Sequence, residues 1–244
     1  MTHIIGLILT IAGILSLLLL YLAGVGYQQE ILGLGTAFTL LRYSAIGGLV
    51  SAVLIVAFLV WQRPSGTKLV VLFVSAVMGL SAFYLPYRQS QIASQVPPIH
   101  DITTDTVNPP AFVAIAPIRA AAPNPVTYEG EAIASQQREA YPDIMTMTFT
   151  EAPASVYNAV LEVVDQMGWE LVDANENEGR VEATDTTRWF GFKDDVVIRI
   201  QPGPAESTML DVRSKSRVGR SDIGMNARRI RAFTSSLNNT VGGS

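Results

Sequence analysis

Residues 4–24 contain no charged side chain. A run of about 20 apolar residues matches the roughly 30 Å hydrocarbon core of a bilayer. Lipid offers the backbone no hydrogen-bond partners, so such a run must be helical if it spans. No basic residues precede it, which argues for an uncleaved span over a cleaved signal peptide. A second span is expected over 38–61, with Arg42 near its start and able to snorkel to the headgroups, and a third over 69–87, with Tyr84, Tyr87 and Arg88 at its interfacial end. Gly47 with Ser51, and Gly48 with Ala52, have the small-xxx-small spacing that lets helices approach closely. No acid, charged pair or broken helix half interrupts the spans, so they read as an anchor, with self-association open, and not as a transport path.

The rest of the chain is chemically different. Of 17 Lys and Arg, only Arg42, Arg63, Lys68 and Arg88 precede residue 96, and of 21 Asp and Glu only Glu30 does. A multi-pass membrane segment, residues 1–88, therefore carries a polar remainder. The short loop 62–68 holds Arg63 and Lys68 against Arg42 and Arg88 on the other side. The tie is tipped by the α-amino group toward a cytoplasmic N-terminus, which places the polar part in the periplasm or outside the cell, on an inner cell membrane. There is no cysteine and there are two histidines. Disulfides, thiolate sites and multi-histidine metal sites are thereby excluded, and no metal or cofactor is expected.

Residues 89–143 are proline-rich. Pro97, Pro98, Pro109, Pro110, Pro117, Pro123 and Pro125 predict an extended, non-helical segment, in which Ile99, Ile102, Phe112, Val113 and Ile115 can pack on a surface. His100, Asp101 and Asp105 form a possible polar site, since a carboxylate can orient an imidazole for proton transfer. Adjacent residues of an extended chain point apart, which favours a structural histidine.

From 144 to 240 the pattern is regular. Strands are predicted at 144–149, 169–173, 180–187, 195–201 and 209–216, by alternations such as Val196, Ile198, Ile200 and Leu210, Val212, Ser214. One helix follows Pro153, with Val156, Val160, Val163, Val164 and Met167 at helical spacing and Gly168 as its stop. A last helix begins at Ser221 as N-cap, with Ile223, Ala227, Ile230, Phe233 and Leu237 as its stripe. The order β-α-β-β-β-β-α implies an α+β fold: an antiparallel sheet with one buried face and both helices on it, in two layers.

Several stretches carry a family likeness. They are Pro97-Pro98-Ile99-His100-Asp101-Ile102-Thr103-Thr104-Asp105, Asn108-Pro109-Pro110, Ala140-Tyr141-Pro142-Asp143-Ile144, Gly179-Arg180-Val181-Glu182-Ala183-Thr184, Trp189-Phe190-Gly191-Phe192-Lys193-Asp194-Asp195, Val212-Arg213-Ser214 and Ser216-Arg217-Val218-Gly219-Arg220-Ser221-Asp222. Over about residues 95–238 the chain resembles the family catalogued as domain of unknown function 1499, from bacterial envelope and membrane proteins. The resemblance implies that the proline-rich segment belongs to the domain, and it implies no activity.

Two features can carry function. The loop Arg188-Trp189-Phe190-Gly191-Phe192-Lys193 sets three aromatics between two cations, as a clamp for an apolar or anionic ligand or a tip at the bilayer interface; the alternative is core closure. Charge is also divided. Residues 188–244 are net basic and 96–187 strongly acidic, and Arg213, Lys215, Arg217 and Arg220 lead into the last helix, where an anionic lipid, phosphate or carboxylate can sit. The alternative is internal pairing, with Glu182, Arg199, Asp211 and Arg213 as a cross-strand ladder.

The reading that results is a membrane-anchored envelope module that binds lipid, cell-wall material or a protein partner without catalysis. A hydrolase or transferase using His100 or Asp185, Asp194 and Asp195, with or without a divalent cation, is the alternative, and an accessory subunit of a membrane complex is a third. The acidic balance argues against nucleic acid.

Overall fold

Three helices carry the apolar runs: α1 (Thr2–Gln28), α2 (Leu34–Gln62) and α3 (Thr67–Ala93). All three are long and apolar enough to cross a membrane, and under a third of each apolar window is buried. Large side chains such as Leu7, Ile11, Val53 and Phe73 point outward, while the buried set is rich in Gly, Ala and Ser. That is the reverse of a water-soluble bundle, and it is what lipid-facing helices require. A Cβ on Gly13 would overlap the Ser75 carbonyl oxygen, and Cβ atoms on Gly48 and Gly79 would each overlap the other's carbonyl. Ser44 Oγ donates to the Ser16 carbonyl at 2.6 Å. Gly48, Ser51 and Ala52 are thus used within the chain. The third helix outruns its expected end, continuing through Pro86 to Ala93. α2 ends at Arg63 in the left-handed conformation, followed by Pro64.

The computed structural model describes residues 2–242 and divides into two units, Met1–Ile92 with Arg188–Gly191, and Ala93–Thr187 with Phe192–Ser244. The second unit contains β1 (Asp101–Thr103), α4 (Ile115–Ile118), α5 (Glu131–Ala140), β2 (Met147–Phe149), α6 (Pro153–Gln166), β3 (Glu170–Asn175), β4 (Arg180–Thr186), β5 (Lys193–Pro202), β6 (Thr208–Ser216) and α7 (Met225–Gly242). The sheet is antiparallel, in the order β1-β6-β5-β4-β3, with β2 also paired to β6. This is the expected α+β order with a further strand before it.

One face of the sheet is apolar. Val181, Ala183, Val196, Ile198, Ile200, Leu210 and Val212 pack with Val156, Val160, Val163 and Val164 of α6 and with Ala227, Ile230, Phe233 and Leu237 of α7. Trp169 stacks on Phe233, with ring centroids 5.6 Å apart. Each such Val, Leu, Ile or Phe stabilises the fold by about 1.5–3 kcal/mol.

The opposite face was expected to meet solvent, and it is buried too. Glu182, Asp195, Arg213, Lys215 and Asp101 are all 3% exposed or less. The cover is the proline-rich segment, with Phe112, Ile115 and Val197 as a small apolar cluster of its own. Of the segment's expected packing residues, Ile99, Ile102, Phe112 and Ile115 are buried, and Val113 is exposed.

The segment is also not wholly extended. α4 is a single turn that includes Pro117, near a helix start where the missing N–H is not needed. α5 has no apolar stripe in the sequence, because only Ala134 and Gln137 face inward. Gln137 accepts from Thr103 N at 3.0 Å and donates to Thr103 O at 2.6 Å, so its amide closes the free edge of β1 as another strand would.

α7 starts at Met225, after the expected Ser221. Asp222 is its cap, accepting from Gly224 N at 2.8 Å and Asn226 N at 2.6 Å, while Ser221 Oγ accepts from Ile223 N at 3.1 Å. Ile223, with φ of 52°, lies outside the helix.

Candidate functional site

The strand alternation places every second residue of β4, β5, β6 and β1 on the covered polar face. Asp101 pairs in register with Lys215, and Thr103 with Arg213. Asp101 is fully buried and takes both cations: Arg213 Nε and Nη2 donate to its two oxygens at 2.9 and 2.8 Å, and Lys215 Nζ lies 2.9 Å from Oδ2. The Arg213 guanidinium is sandwiched by Phe112 at 5.1 Å and Tyr128 at 5.4 Å from the ring centroids. Lys215 Nζ also donates to the Thr127 carbonyl at 2.8 Å. Burial pulls the Lys215 ammonium below its ordinary value, with Asp101 opposing it. Burial, with Asp101 adding to it, pushes the Tyr128 phenol up to about 12.

A second group sits one strand over. Asp195 receives Arg119 Nη1 at 3.0 Å and Arg217 Nε and Nη2 at 2.9 and 2.8 Å, and Thr184 Oγ1 at 2.8 Å. Glu182 gathers the start of α4: Val113 N at 2.7 Å, Ala114 N at 3.1 Å and Ile115 N at 2.8 Å donate to it, with Arg180 Nη1 at 2.6 Å. Of the expected ladder, only the Arg199–Asp211 rung forms, at 2.7 Å. Glu182 and Arg213 turn to the covering segment and β1 instead.

His100, Asp101 and Asp105 are not brought together. Asp105 accepts from Val107 N, Asn108 N and Arg199 Nη2, at 2.9–3.0 Å. Burial opposes its ionisation, but the Asn108 and Val107 amides and Arg199 outweigh that and hold it below the ordinary carboxylate value. His100 makes no hydrogen bond to Asp101 among the described residues, and its Nε2 lies 3.5 Å from Glu129 Oε1.

Asp194 and Asp195, being consecutive in a strand, face opposite sides of the sheet. Asp194 shares Arg229 with Asp185, at 2.6 and 2.8 Å. The three carboxylates therefore do not converge, and among the described residues no cluster of three potential metal ligands occurs. Arg119, Gln137 and Glu129 carry no motif that singles them out in the sequence, and Glu182 reads there as a ladder residue and not as the anchor of α4. The available signal was the near balance of acid and base on strand positions that alternate with apolar ones.

The aromatic loop is divided as well. Arg188–Gly191 clusters with the helices. Trp189 Nε1 donates to the Tyr21 carbonyl at 3.2 Å, and the Phe190 ring lies 6.0 Å from those of Tyr27 and Phe38. Gly24 has no room for a Cβ against the indole. Phe192 N donates to Thr187 Oγ1 at 2.8 Å, and Lys193 is exposed where β5 begins, its carbonyl accepting from Arg217 N at 3.0 Å. Arg220 is exposed in the turn that follows β6.

Taken together, these features define the class: an apolar three-helix segment carrying an antiparallel α+β domain whose polar sheet face is sealed by its own N-terminal segment. A family profile described as a protein of unknown function, DUF1499, matches residues 101–237. The chain belongs to that family. No curated protein matches it.

Proposed function

We propose that the chain is a membrane-anchored binding module of the cell envelope whose polar domain engages anionic groups, lipid headgroups first among them, without turning over a substrate. The supporting observation is where its uncompensated cations lie. Arg119, Arg180, Arg199, Arg213, Lys215, Arg217, Arg229 and Arg231 each face a carboxylate. Lys193 and Arg220 are exposed at the end of the sheet where β5 begins and β6 ends, and Arg228 is exposed in the first turn of α7; none of the three has an ion pair among the described residues. On the helical unit, exposed Arg188 beside Trp189 repeats the cation-and-indole chemistry of a bilayer interface. Anionic lipid attracts such residues by about 1 kcal/mol each. The accompanying orientation has the N-terminus in the cytoplasm and the domain outside.

The test is native mass spectrometry of the full chain extracted from bilayers of mixed neutral and anionic lipid. Anionic lipid should be retained preferentially, and the Lys193→Gln/Arg220→Gln double variant should lose much of that preference. Equal lipid retention by both proteins would sink the reading. Fusing reporters active on only one side of the membrane to the C-terminus tests the orientation separately.

A further inference from the structure

Around Asp101 the charges do not balance. Arg213 and Lys215 bring two cations to one buried carboxylate, and the nearest further anion is Glu129, whose Oε1 is 4.0 Å from Lys215 Nζ and 3.5 Å from His100 Nε2. Neither distance is a hydrogen bond of normal length. Elsewhere in the covered polar face, Asp101, Glu182, Asp195 and Asp211 are essentially inaccessible and bonded at 2.6–3.1 Å. Glu129 alone is loosely placed, with its side chain 45% exposed. Beneath it, the His100 side chain is nine-tenths buried, and its Nε2 has no hydrogen-bond partner. A buried polar atom left unpaired is costly, so it marks a place where a partner is missing. Gly130 follows Glu129 at φ of +74° with open space where a Cβ would lie, so the Glu129 side chain has room to turn outward while Thr127 and Tyr128 stay held by Lys215 and Arg213.

We propose that His100 Nε2 and Lys215 Nζ form a receptor for a carboxylate, either a free carboxylic acid or a chain-terminal carboxylate, and that Glu129 occupies it as an internal stand-in. An incoming carboxylate displaces Glu129, accepts from both nitrogens at normal hydrogen-bond length, and supplies the negative charge that Glu129 offers only from a distance. Asp101 stays in place and holds Lys215 toward the ligand. The site is separate from Lys193 and Arg220, so it stands or falls independently of headgroup binding.

The experiment uses the full chain in detergent, with acetate as probe and chloride at matched ionic strength as control. The chain has two histidines, so a His3→Gln background leaves His100 as the single imidazole signal in a histidine-labelled sample. In Glu129→Ala, acetate should give a saturable shift of that signal, at concentrations about tenfold or more below those needed when Glu129 is present, because a tethered carboxylate competes at high effective concentration. Glu129 is held only by two long contacts, 3.5 and 4.0 Å, from a side chain 45% exposed, so its loss is expected to leave the fold in place, checked by an unchanged denaturant midpoint. The Lys215→Met change need not fold, and the decisive comparison does not depend on it. A Glu129→Ala protein that shows no saturable shift, or the same acetate dependence with and without Glu129, overturns the proposal. Saturation by inorganic phosphate with acetate silent overturns the carboxylate assignment.

Discussion

On one side of the sheet, Val196, Ile198, Leu210 and Val212 lie under α6 and α7; on the other, Asp195, Asp211, Arg213 and Lys215 lie under residues 105–129. The two faces are equally hidden from water but held by unlike forces. The apolar face gains from area removed from water, is indifferent to small angular errors, and tolerates conservative exchange. The charged face gains little net stability over an apolar replacement, because desolvation offsets the Coulomb attraction. It penalises misplacement instead. A one-residue slip of β1 against β6 would move Asp101 away from Arg213 and leave three buried charges unpaired.

The contrast can be tested by how each face fails. The largest loss is expected from Asp101→Ala, which strands Arg213 and Lys215 and should cost about 3–5 kcal/mol in a denaturant titration followed by Trp169 fluorescence. A loss under about 1 kcal/mol would put the two faces on the same footing and break the comparison. Replacing Asp101, Arg213 and Lys215 together with Leu, Met and Met should recover most of that loss, because no charge is then left alone. A triple variant as unstable as Asp101→Ala would show that the pairs are themselves strongly stabilising. On the apolar face, Ile230→Val should cost about 0.5–1.5 kcal/mol with an unchanged denaturant slope.

A smaller effect belongs to acid. Asp105 ionises more readily folded than unfolded, so its contribution is complete above the unfolded value of 3.8 and drains away as pH falls through the lower folded value. Asp105→Asn should therefore flatten the stability profile below about pH 4. The smallest change is expected from Arg231→Ala, which breaks a half-exposed pair with Asp143 and should shift stability by no more than about 1 kcal/mol.

The order of the sheet and its two packing helices was legible because apolar residues recur at periods of two and 3.6. Alternation reports that two faces differ in chemistry, and it does not report that one of them is wet. Arg213 and Lys215 read as open to solvent or to an anion because their carboxylate, Asp101, lies more than a hundred residues upstream, on a segment whose apolar residues announce packing but not which sheet face it covers. α5 was invisible for a related reason. Its sequence shows no apolar stripe, since its chief inward contact is the amide of Gln137 on the backbone of Thr103. The start of α7 differs by a few residues from the one the pattern predicts because Ser221 and Asp222 are both good caps, and only the observed bonds choose between them. Of the candidate binding residues, Arg213, Lys215 and Arg217 are turned inward onto Asp101 and Asp195, while Arg188, Lys193 and Arg220 remain at the surface.

The pairing of β1 with β6 has a consequence for synthesis. Asp101 and Arg213 are 112 residues apart. At about 5–20 residues per second, a ribosome takes on the order of ten seconds to deliver the second after the first. Throughout that interval β1 waits without the strand that pairs with it, and the proline-rich segment waits without the β6 cations it covers. Translation arrested anywhere before β6 would yield a tethered fragment with unpaired edges, and completing this one strand near the end of the message is what lets the whole domain close.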